Sequence, residues 1–78
     1  MQISDICAAL ETAMEVAKGS IGPDTKLKEH PSWDSLAVIA FISESDSKFH
    51  KVLPAKDLAE ATTPAELFAL FLVINTQP

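Results

Sequence analysis

Apolar residues Ile3, Ile6, Cys7, Leu10, Met14 and Ala17 recur at three- and four-residue steps, with Asp5, Glu11 and Glu15 on other faces. That period predicts an amphipathic first helix. It is expected to stop at Lys18-Gly19, where glycine accepts the left-handed conformation and lysine complements the negative end of the helix dipole. From Ser20 to Trp33 the periodicity lapses, and Gly22-Pro23 and Pro31 mark a long loop that Ile21, Leu27 and Trp33 pin to a core. Asp34 opens a second helix in which Val38, Ile42, Ser45 and Phe49 share a stripe, while Leu36, Ile39 and Phe41 widen the apolar arc. Its second half turns polar at Ser43, Glu44, Asp46, Ser47 and Lys48. Ile39, Ile42, Phe49, Leu67 and Phe71 are expected in the core.

Val52-Leu53-Pro54 breaks the second helix, and Ala55 to Ala61 has the length of a short third one. Thr63-Pro64-Ala65-Glu66 reads as a capping box with proline in the first helical position. Leu67, Phe68, Leu70, Phe71 and Ile74 then build a last buried helix. With no alternating strand pattern, the expected fold is all-α: one domain over residues 1–78, with three main helices, one short helix and a long first loop.

Composition narrows the function classes. Seventy-eight residues with 47% hydrophobic content support one small core, too small to enclose the deep site of a self-sufficient enzyme. A formal net charge of -5, with Lys18, Lys26, Lys28, Lys48, Lys51 and Lys56 spread thinly, argues against nucleic acid and suits soluble partners with basic surfaces. Cys7 has no companion thiol, so a reducing cytoplasm is expected, and Cys7 reads as a small core residue. The N-terminus lacks an export pattern, and Leu67 to Ile74 is too short to span a bilayer. His30 and His50 lack ligand spacing and read as surface residues, so no metal site is expected. A monomer is the expected state.

The most specific motif is Trp33-Asp34-Ser35-Leu36, placed where the long loop enters the second helix. A hydroxyl at that junction faces backbone donors and the positive end of the dipole, a setting that favours an anionic group. Asp34 is suited to cap the helix, though Asp-Ser before an apolar run is also an ordinary helix start. No glycine-rich nucleophile elbow surrounds Ser35, which argues against a hydrolase. Trp33 reads as a loop anchor covering the core.

Asp34-Ser35-Leu36, the apolar helix behind it, Phe49, Leu53-Pro54 and Thr62-Thr63 together resemble the acyl carrier protein family, of the discrete type, over most of the chain. The resemblance implies that Ser35 receives 4′-phosphopantetheine from coenzyme A through a phosphopantetheinyl transferase. It also implies that the carrier is no enzyme. Loading and processing enzymes would act on a thioester held by the arm, in fatty acid, polyketide or other specialised biosynthesis. A peptidyl or aminoacyl carrier, or an unmodified interaction module of the same fold, are the alternatives at this point. In the family the second helix is the docking surface and is usually acidic. Here Leu36, Ala37, Ala40 and Glu44 are the expected docking residues, and Ala37 and Ala40 stand where many members carry acids. The family interior can shelter an acyl chain, and Phe41 and Phe68 would narrow such a space.

Overall fold

A computed structural model describes residues 2–73 and contains, among them, four α-helices and no strand. The helices are α1, Ile3–Met14; α2, Ser35–Phe49; α3, Ala55–Glu60; and α4, Pro64–Val73. One turn of 3₁₀ helix, Leu27–Glu29, interrupts the long loop. The all-helical bundle with one short helix matches the expectation. Ile74, expected in the last helix, lies outside the described residues.

The core follows from the apolar stripes. Ile6, Ala9 and Leu10 of α1 meet Phe41 of α2 and Leu67 and Phe71 of α4, all of them fully buried. Aromatic rings run through the interior: Trp33 stands edge-on to Phe41 at 6.3 Å, and Phe71 lies 6.1 Å from both Phe41 and Phe49. Such tilted and edge-on contacts suit the ring quadrupoles. Leu27 and Ile21 anchor the long loop as expected, and Leu53 and Leu58 fix α3.

Two stretches of backbone tie that loop to the far end of the chain. Leu27 N–H donates to Thr62 O at 2.8 Å, and Ala65 N–H donates to Pro23 O at 3.2 Å. The start of α4 follows the expected capping logic with one change of partner. Glu66 N–H donates to Thr63 Oγ1 at 3.3 Å, but the Glu66 carboxylate takes the N–H of Thr62, at 2.8 Å, rather than that of Thr63. Thr62, through its side chain and its N–H, holds the Glu66 carboxyl below its ordinary range, so this cap persists as pH falls until that lowered value is reached.

Four expectations are corrected. First, α1 ends at Met14, one turn before Lys18-Gly19, because Glu15 takes the left-handed conformation at φ 57° and closes the helix itself. Second, Glu11 is buried rather than solvent-facing: its Oε2 accepts Gly19 N–H at 2.8 Å and Ile21 N–H at 3.0 Å, clamping the loop that leaves α1. Third, Ile39, expected in the core, is 62% exposed. Fourth, His30 is half-buried, its Nδ1 accepting Ser32 N–H at 3.1 Å, whereas His50 is exposed as expected. Cys7 is buried in the core, and burial, reinforced by the charge of Glu11, pushes its thiol pKa up. A protonated, buried thiol is a poor nucleophile.

Candidate functional site

The head of α2 is built from its own sequence. Asp34, extended at φ -125°, is the N-cap, and its Oδ1 accepts Ala37 N–H at 2.9 Å while its carbonyl accepts Val38 N–H at 3.0 Å. Ser35 is therefore the first helical residue, and it is exposed. The partial positive charge of a helix N-terminus extends over this first turn, and it favours an anionic group attached there. Trp33 is half-buried against Phe41, fixing the chain two residues before Ser35. The cap orients the helix entry. Asp34→Ala is expected to cost about 1 kcal/mol, lowering the melting temperature by about 4–8 °C in a domain of this size; thermal unfolding followed by circular dichroism checks it.

Beside Ser35 the apolar surface is unusually open. Leu36 is 75% exposed, and Ile39 shares its helical face. Ala40 is half-buried on the same side and Ser43 and Ser47 continue the row in the exposed state. Ala37, expected on the docking surface, is 4% exposed and belongs to the core cluster, so it is corrected to a packing position. Glu44, also expected there, is half-buried, and its carboxylate pairs with Lys48 at 3.0 Å within the helix. Its charge is thus locally compensated. Sequence reasoning missed the surface position of Ile39, whose spacing from Leu36 was the available signal.

Between the end of α1 and the head of α2 lies an open groove of about 350 Å³, lined by Met14 and the capping Glu15 of α1 and by Leu36, Ala37 and Ala40 from α2. Asp34 and Leu36, the neighbours of Ser35 in the chain, both line it. Among the described residues no cluster of histidine, cysteine and carboxylate side chains could hold a metal ion, and no helix is long and apolar enough to cross a membrane.

A hydroxyl displayed on a rigid helix start, with exposed apolar side chains next to it, suits a domain that holds a group covalently and shows it to others. That is the class of the carrier proteins. The family model described as Phosphopantetheine attachment site matches residues 4–71, from the first turn of α1 to Phe71 of α4, and the chain belongs to that family. It is a phosphopantetheine carrier protein, and the domain is the attachment site of covalent 4′-phosphopantetheine. No curated protein and no solved structure matches the chain significantly. The head of α2 fits the group, since it offers an exposed hydroxyl at a helix N-terminus and no buried wall to exclude a long flexible arm.

Proposed function

We propose that Ser35 is the residue that carries the phosphopantetheine, and that the N-terminal half of α2 is the surface on which a phosphopantetheinyl transferase and the cargo-processing enzymes dock. The observation that supports this most is the exposed position of Ser35 as the first residue of α2, directly after the Asp34 cap. When attached, the arm supplies a terminal thiol that holds cargo as a thioester. The chain itself makes and breaks no cargo bond; it fixes the attachment point and presents a docking face. Incubation with coenzyme A, magnesium and a broad-specificity transferase is expected to add the mass of one phosphopantetheine; an unchanged mass with several transferases would refute the proposal.

Leu36 and Ile39 form the centre of that face, with Ala40 at its edge and Glu44 further along. Because the Leu36, Ile39, Ser43 and Ser47 row is uncharged and Glu44 is paired with Lys48, docking relies on apolar contact more than on acid-base attraction. A partner dedicated to this carrier, with an apolar recess, fits better than one with a basic patch. Leu36→Ala is expected to raise the transferase KM roughly five- to thirtyfold, the range set by losing about 1–2 kcal/mol of apolar contact. The wild-type KM is expected to change little between low and high salt. A strong salt dependence together with an unaffected Leu36→Ala variant would contradict this reading.

The cargo is an acyl or related group of fatty acid, polyketide or other specialised biosynthesis, and the carrier acts as a cytoplasmic monomer. The acidic net charge of -5 and a free, buried Cys7 support that setting. Thioester formation with acyl-transferring rather than adenylating enzymes separates this cargo class from an amino acid.

A further inference from the structure

We propose that the groove between α1 and α2 is a resting site for the pantetheine portion of the arm, an inference that rests on Ser35 as the attachment point. Three observations carry it. The groove begins beside the tether: Asp34 and Leu36, on either side of Ser35, both line it. A second groove, lined by Ile3, Cys7, Ile21 and Pro23 among others, includes no chain neighbour of Ser35.

The size and chemistry also fit. At about 350 Å³ the groove lies at the small end of the range for ligand sites, about 300–1,000 Å³. Its lining is mixed and somewhat more polar than apolar, the buried Met14 and Ala37 standing beside polar residues. Glu15, Ser32 and Asp34 are those polar residues. The pantetheine arm has the matching alternation: a gem-dimethyl carbon close to the phosphate, then amides that need donors and acceptors. The loop wall is held in place, because Ser32 N–H donates to His30 Nδ1 at 3.1 Å.

The third observation is the size of the side chains. Ala37 and Ala40, small residues at steps that face α1, leave the space open. A tethered group is present at an effective concentration on the order of millimolar, so a site with a dissociation constant near 1 mM is about half filled. Such weak seating keeps the arm close to the surface yet releases it to a docked enzyme.

The test is nuclear magnetic resonance on the full-length carrier, loaded with unacylated phosphopantetheine and checked first by intact mass. Cross-peaks are expected between the gem-dimethyl protons of the arm and the methyl groups of Met14 and Ala40. Ala13→Leu, at a half-buried position of α1 that lines the groove away from the docking face, is expected to load to the same mass while the Met14 cross-peaks are lost. A loaded wild type whose shift changes stay within residues 34–36, without those cross-peaks, would overturn the groove proposal and leave Ser35 intact. Met14 cross-peaks persisting at full strength in Ala13→Leu would overturn it as well. No gain in mass would overturn the Ser35 reading, and this inference with it.

Discussion

Ser35→Ala is expected to abolish phosphopantetheine loading completely while the fold is retained. The substitution removes one exposed hydroxyl at the first position of α2, and alanine is a good residue there. The Asp34 cap bonds to the backbone N–H of Ala37 and does not involve the Ser35 side chain, so the helix start survives. The expected stability change is therefore within about 0.5 kcal/mol, as for surface substitutions generally. Loading, by contrast, has no substitute nucleophile to fall back on, because a transferase must bring the hydroxyl into line with its bound coenzyme A. Intact mass after exhaustive incubation, beside the helical signal in circular dichroism, reads both halves. A loaded variant would show that another residue carries the arm.

The second large effect is expected at Glu11. Glu11 is 8% exposed, and a single carboxylate oxygen accepts the N–H groups of Gly19 and Ile21, ten residues of chain being folded back by one side chain. Glu11→Ala leaves both donors without that acceptor. Ile21 is 4% exposed, so water reaches its N–H poorly. A buried donor left unpaired costs about 1–3 kcal/mol, and with loss of the charge-assisted bonds the variant is expected to lose about 2–3 kcal/mol in all. For a domain of this size that is a fall of roughly 10–20 °C in melting temperature. Glu11→Gln keeps an acceptor oxygen and is expected to lose about half as much. Urea unfolding of the two variants checks the order; an Ala variant as stable as wild type would contradict the clamp.

The helix order and the capped start of α2 were legible in the sequence because local chemistry sets them. Asp34 caps where an Asp-Ser junction before an apolar run should, and Pro64 occupies the first position of α4 as its capping motif requires. The face of α2 was less legible. Apolar side chains at Leu36, Val38, Ile39, Phe41 and Ile42 span so wide an arc that periodicity could not say which part turns inward. Packing decides: Phe41 goes to Phe71, which carries Ala37 and Ser45 inward with it and leaves Leu36 and Ile39 outside.

The end of α1 was misjudged for a related reason. A glycine at position 19 is a strong stop signal, but left-handed geometry at Glu15 closes the helix earlier. Glu11 lies at helical steps from both Cys7 and Met14, so the buried stripe itself placed it inward. Its charge obscured that placement, because the acceptor it supplies to Gly19 and Ile21 emerges only once the loop folds back.

The central claim is that Ser35 bears the arm, and mapping the modification on loaded wild-type protein tests it most directly. Trypsin cuts after Lys28 and Lys48, leaving one peptide that contains Ser32, Ser35, Ser43, Ser45 and Ser47. Fragmentation of that peptide is expected to place the whole added mass on Ser35. Added mass on any of the other four serines, or on a different peptide, would contradict the account.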